Sequence, residues 1–181
     1  MWSSDGAGVR FARRGVHAVA MALSAMALVA CTVQPLYGPS ATGATVDVAL
    51  GHIAIDPVDT RVAQEVRNRL IFVLYGGAGQ GSAPLYRMTL AVTSSEAALG
   101  VTPIESAPAY SITVAATYQV TSLDTGEIVM RATSRGSATY DRVNQVFANT
   151  RAKLDAEDRA AVIVADDIHT RLAAAAARGG I

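Results

Sequence analysis

The chain has 181 residues, a formal net charge of zero, 51% hydrophobic residues and a single cysteine. That length fits one domain. The charge balance argues against the broad basic footprint of a nucleic-acid binder, and one cysteine excludes an internal disulfide framework or a cysteine-rich metal site.

Arg10, Arg13 and Arg14 precede an apolar run from Val16 to Ala30, broken only by His17 and Ser24. The run has the length of a signal-peptide core and falls short of the roughly 20 apolar residues that a membrane-spanning helix needs. It closes on Leu28-Val29-Ala30-Cys31, the pattern of a bacterial lipobox. The reading is therefore a cleaved lipoprotein signal peptide over 1–30 and a thiol at Cys31 that takes a diacylglycerol. Three of the 15 basic residues and one of the 15 acidic ones (Asp5) lie before Cys31, so the remainder carries 12 against 14, a net charge of −2. With Cys31 acylated, no free thiol is left, which suits an exported protein with a core large enough to need no disulfide.

Residues 31–44, rich in proline, glycine and small polar side chains, read as a lipidated tether, with Leu36 and Tyr37 candidates to dock on the body. The remainder, 45–181, reads as a single α+β domain. Val46, Val48 and Leu50 alternate and Ile53 and Ile55 follow, which predicts a first strand over 45–55 with a kink or bulge at Gly51. Asp59 or Thr60 can cap a helix whose apolar positions run Val62, Ala63, Val66, Leu70, Val73 and Leu74 and which stops at Gly76-Gly77. Three strands follow. Tyr86, Met88, Leu90 and Val92 share one face of the first. Tyr110, Ile112, Val114, Ala116, Tyr118 and Val120 share one face of the second, with Thr, Ser and Gln on the other. A turn over Leu123–Glu127 leads into the third, about 128–140. An alanine-rich helix over 154–177 closes the chain, with Asp155–Arg159 and Asp167–Arg171 as supporting pairs. The expected order is β-α-β-β-β-α. Both helices pack on one face of a four-stranded, mostly antiparallel sheet and leave the other face wet.

Chemistry is hard to find in this pattern. His52 and His169 have no metal-ligand spacing, there is no Gly-x-Ser-x-Gly elbow, and the Gly76–Gly81 cluster has no lysine after it. Adjacent carboxylates such as Asp166-Asp167 point about 100° apart on a helix and do not converge. The reading is a non-enzyme without metal or cofactor beyond the covalent lipid. One set of residues remains: Arg87, Arg131 and Arg135, on strands and among Thr and Ser. They are either a solubilising face or bidentate contacts to phosphates or carboxylates.

The residues taken in order resemble the lipopolysaccharide-assembly lipoprotein family, LptE, in its alphaproteobacterial form. The resemblance rests on Cys31 with Gln34-Pro35-Leu36-Tyr37-Gly38, on Arg61 to Leu70, on Tyr140 with Gln145 to Asn149, and on Asp155-Ala156-Glu157 and Ala165 to Ile168 in the last helix. Thr32 and Val33 depart from the Gly and aromatic residue usual after the family's cysteine. The resemblance implies two helices on a four-stranded sheet. It also implies a small subunit of the outer-membrane lipopolysaccharide translocon, which plugs a large LptD β-barrel, aids its assembly and contacts lipopolysaccharide. Arg87, Arg131 and Arg135 then become candidates for lipid A phosphates or sugar-acid carboxylates. Thr32, where inner-membrane lipoproteins often carry Asp, implies the inner leaflet of the outer membrane. The rivals are the auxiliary lipoprotein of an intermembrane lipid-transport ABC system, a lipid-tethered periplasmic enzyme and a structural lipoprotein.

Overall fold

The computed structural model describes residues 46–99 and 109–181. Cys31 and the 31–44 tether lie outside the described residues. The elements are α1 (Val46–Leu50), β1 (Ile53–Ile55), α2 (Arg61–Tyr75), β2 (Tyr86–Leu99), β3 (Ala109–Ser122), β4 (Ile128–Asp141) and α3 (Val146–Ala177). They form an α+β fold with one four-stranded sheet in the order β1-β2-β3-β4, parallel at β1–β2 and antiparallel elsewhere.

The expected first strand needs correction. Only Ile53–Ile55 is strand; Val46–Leu50 is a short helix, with a turn at Gly51-His52. Burial shows why. As a strand, 46–50 would turn Val46, Val48 and Leu50 to one side. Instead Val46 and Leu50, one helical turn apart, are buried while Val48 is 57% exposed, which is helical spacing.

Helix α2 starts at Thr60, whose Oγ1 accepts from the Ala63 amide at 3.3 Å, and ends at Gly76 with φ 58°. This settles the cap between Asp59 and Thr60, and the positive φ explains the glycine. Helix α3 begins eight residues before the expected start, at Val146. Its entry is held by Asn149, whose Oδ1 accepts from the Val143 amide at 2.8 Å and whose Nδ2 donates to the Val143 carbonyl at 2.7 Å. Hydrophobic periodicity could not mark this first turn, because Val146 and Phe147 are exposed.

Both α2 and α3 cover one face of the sheet, α3 over β3 and β4 and α2 over β2. Met88, Ile112, Val114, Tyr118 and Val120 meet Val66, Leu70, Val164, Ile168 and Leu172 in one core. Each such aliphatic side chain contributes about 1.5–3 kcal/mol when buried. Small residues set how closely α3 approaches. Ala156, Ala160, Ala161 and Ala165 are buried on it. A Cβ added at Gly136 on β4 would lie 2.6 Å from the Ala160 carbonyl oxygen, so that position admits only glycine at this spacing.

Polar groups finish the contact. The Ser134 hydroxyl donates to Asp167 Oδ2 at 2.7 Å and lies 3.3 Å from the Val164 carbonyl. Burial pushes the Asp167 carboxyl up. Hydrogen bonds from Ser134 and Arg171 outweigh it and hold the group below the usual aspartate range. Arg61 pairs with Glu157 and Asp158, and Arg69 with Asp166, which ties α2 to α3. Asp155–Arg159 and Asp167–Arg171 form as expected, each at 2.8 Å.

Candidate functional site

The face of the sheet away from the helices is hydroxyl-rich. Thr89, Thr93 and Ser95 stand on β2, Ser111, Thr113, Thr117, Gln119 and Thr121 on β3, and Thr133, Ser137 and Thr139 on β4. Antiparallel register brings them into ladders. Thr113 and Ser137 hydroxyls lie 3.0 Å apart, and those of Thr117 and Thr133 3.1 Å apart. Alternation puts every second residue on this side, so once Met88 and Val114 face the helices, the threonines must face out.

All three candidate arginines are on this open face. Arg87 lies opposite Thr121 and its Nε is 3.8 Å from Asp56 Oδ1. Arg131 lies opposite Gln119 and donates from Nη2 to Gln119 Oε1 at 2.5 Å. A shallow depression over Ala91, edged by Thr89 and Thr117, adjoins it. Arg135 lies opposite Ala115; among the described residues its side chain has no hydrogen bond or ion pair. Strand spacing puts Arg131 about 13 Å from Arg135 and about 12 Å from Arg87. The arginines therefore share a face without converging on one pocket. Such an arrangement can hold several anionic groups of one extended ligand, each by a guanidinium fork.

A second polar cluster lies outside the residues that the sequence singles out. At the end of the sheet where α3 begins, the Glu96 carboxylate accepts from Lys153 Nζ at 2.6 Å and from the Tyr140 hydroxyl. Tyr140 stacks on Tyr110, with ring centroids 5.7 Å apart. Arg142 donates to the Tyr110 hydroxyl at 3.1 Å and lies over its ring. The Lys153 ammonium, then the Tyr140 hydroxyl, hold the Glu96 carboxyl below the usual range. Burial, then the bond to Glu96, pushes the Tyr140 hydroxyl up to about 12. A sequence signal for the tyrosine pair existed: a hairpin folded at Thr125 sets Tyr110 opposite Tyr140. Nothing local foretold Glu96 and Lys153, which are 57 positions apart.

His52 is a loop staple, with Nδ1 3.1 Å from the Ala83 carbonyl oxygen. Among the described residues, no three His, Cys, Asp or Glu side chains gather as a metal site.

The sequence profile of the LptE family, described as lipopolysaccharide-assembly, matches residues 50–172, well over half of the chain. The chain belongs to the LptE family. The match runs from the last residue of α1 to Leu172 in α3, so it spans the whole sheet, all of α2 and most of α3. Solved structures share the LptE-family fold seen here. A candidate lipoprotein from Caulobacter crescentus CB15 is 22% identical with a TM-score of 0.59, covering 71% of this chain and 93% of that one. The minor lipoprotein from Acinetobacter baumannii is 14% identical with a TM-score of 0.53, covering 67% and 88%. Rare lipoprotein B from Shewanella oneidensis is 14% identical with a TM-score of 0.51, covering 71% and 97%. No curated protein matches the sequence.

Proposed function

We propose that this LptE-family chain is an outer-membrane lipoprotein of the lipopolysaccharide translocon. It is cut before Cys31, lipidated there, and held on the periplasmic side of the outer membrane. It plugs an LptD-type β-barrel, assists the barrel's assembly, and aids insertion of lipopolysaccharide into the outer leaflet. It performs no catalysis. The observation that carries the reading is the family match over the whole sheet, α2 and most of α3. The lipobox at Leu28–Cys31 and the lipoprotein structures of like fold support it.

The open face suits such a role. Hydroxyls and amides can exchange hydrogen bonds with sugars, and Arg87, Arg131 and Arg135 offer forks for phosphates or sugar-acid carboxylates. The test is purification of the tagged full chain from detergent-solubilised outer membranes. A stoichiometric large β-barrel chain is the expected companion. An inner-membrane permease would move the protein to an intermembrane lipid-transport system and overturn the proposal. For the arginines, replacing all three by alanine is expected to weaken lipopolysaccharide binding; unchanged binding would make them a solubilising face only.

A further inference from the structure

The two edges of the sheet differ. β1 is three residues long and pairs with the start of β2. β4 is fourteen residues long and, among the described residues, pairs only with β3. Along a strand, successive residues point their N–H and C=O groups to opposite sides. Arg159 Nη2 donates to the Thr139 carbonyl oxygen at 2.8 Å, which marks Thr139 as pointing away from β3. By alternation, Arg131, Thr133, Arg135 and Ser137 also point outward. Arg159 covers Thr139; no side chain among the described residues bonds the backbone of 131–137. Natural sheets usually blunt such an edge with proline, a bulge, a covering segment or charged side chains; over 131–137 only the last is present, in Arg131 and Arg135. Here the one irregularity of the β3–β4 ladder falls at Val120/Thr121, where Val129 is skipped, before this stretch begins. No proline lies in β4.

A groove of about 620 Å³ runs beside the edge, between β4 and α3, over Ala138 and against Val162 and Ile163, with Asp158 and Arg159 also lining it. These two aliphatic side chains stay 39% and 47% exposed. The small side chain of Ala138 forms the floor of the groove, which opens at Ser137 and Thr139 toward the edge.

We infer that the β4 edge receives an added strand: an extended segment of a partner protein in which acidic and aliphatic residues alternate. The pleat decides this chemistry. On the open face, the added strand would neighbour Arg131 and Arg135, so carboxylates belong there. On the helix face its side chains would enter the groove against Val162 and Ile163, so aliphatic residues belong there. A second copy of this chain offers the arginines less. Antiparallel β4–β4 pairing over 131–137 is centred on Ser134 and sets Arg131 opposite the copy's Ser137 and Thr133 opposite its Arg135, with no carboxylate across from either arginine; a shift to Thr133 sets Arg131 opposite the copy's Arg135, and like charges opposite one another are destabilising. The inference stands apart from the lipopolysaccharide reading, since it needs only the edge, the groove and the charges beside them.

The test uses the full chain in mild detergent and two ten-residue synthetic probes, one alternating Glu and Val, the other alternating Lys and Val. Amide exchange followed by NMR is the readout. The Glu-Val probe is expected to protect the amides of Thr133, Arg135 and Ser137 and to leave Ser134 and Gly136, already bonded to β3, unchanged. It is expected to bind about tenfold more tightly than the Lys-Val probe, a difference of about 1.4 kcal/mol. Ser137→Pro removes an outward N–H, a change edge strands tolerate, and should abolish protection with an unchanged circular dichroism spectrum. Arg131→Glu combined with Arg135→Glu should reverse the preference between probes; both side chains are exposed, so this variant decides the matter even where the proline variant does not fold. Equal binding of the probes, protection elsewhere, or no binding by either overturns the inference. So does self-association in sedimentation that Ser137→Pro abolishes, which would give the edge to a second copy.

Discussion

On β3, Ile112, Val114, Ala116, Tyr118 and Val120 are buried beneath the helices, while Ser111 to Thr121 between them face outward. The same fourteen residues thus build two surfaces of opposite character. The helix side is fixed by close contact. Alanines and Gly136 let α3 come near, and there is no slack for an added atom. The outer side is fixed by hydrogen bonds between short hydroxyl side chains and by long arginines that reach into solvent. Stability resides on the first side, and the recognition proposed above belongs to the second, so substitutions on the two sides should separate accordingly.

The largest expected effect is on the covered side. Ile168→Ala removes a fully buried side chain in the C-terminal half of α3 and should cost about 2–5 kcal/mol, read from the urea midpoint at unchanged slope. Gly136→Ala should follow at about 1–3 kcal/mol, because the new methyl group meets the Ala160 carbonyl and the Ile163 side chain. Ile163→Ala should recover only a small part of that loss, because it removes Cγ2 and leaves Cβ at 2.9 Å and the Ala160 carbonyl oxygen at 2.6 Å.

The cluster at the start of α3 should respond to pH at both extremes. Glu96 has its carboxyl lowered in the fold, so its contribution is present above the ordinary glutamate range and is lost as pH falls through the folded value. Tyr140 has its hydroxyl raised from 10 to about 12. Its contribution is complete below pH 10 and is lost as pH rises through about 12. Thermal melts of Tyr140→Phe and the unaltered chain should converge at high pH, and tyrosinate absorbance should lose one late-titrating tyrosine in Tyr140→Phe, with Tyr75 and Tyr118, which burial also pushes up, still titrating late. Smallest of all, Thr117→Ala and Arg135→Ala on the open face should change stability by no more than about 0.5 kcal/mol. A loss above 2 kcal/mol from either would erase the division of labour between the faces.

Most of this architecture was legible in the sequence because alternation is a strong signal over long strands. Met88 to Val92 and Tyr110 to Val120 announced which side faces the helices, and the placement of all three arginines on the open side follows from the same period. The first segment misled because Val46, Val48 and Leu50 satisfy both a strand and a helical turn, and five residues are too few for periodicity to choose. Packing against α3 chose the helix. The early start of α3 was invisible for the opposite reason: its first turn buries nothing, and only the Asn149 clamp on Val143 defines it. Within the candidate site, the face could be read but its spacing could not. That Arg87 leans toward Asp56 and Arg131 toward Gln119 depends on cross-strand register, as does the joining of Glu96 to Lys153.

The short helix α1 has a mechanical consequence. If the chain before Val46 is moored to a membrane, tension enters the body there. The first links to load are α1, seated by Val46 and Leu50, and then β1, held to β2 over three residues. Both are weaker than the fourteen-residue strand pairs behind them. Under load, residues 46–60 should peel away first and lengthen the leash by up to about 50 Å before α2 or the main sheet is strained. Single-molecule pulling from the N-terminal side would show this as an early, low-force step. One unfolding event with no such step would mean that the body is moored more rigidly than its first fifteen residues imply.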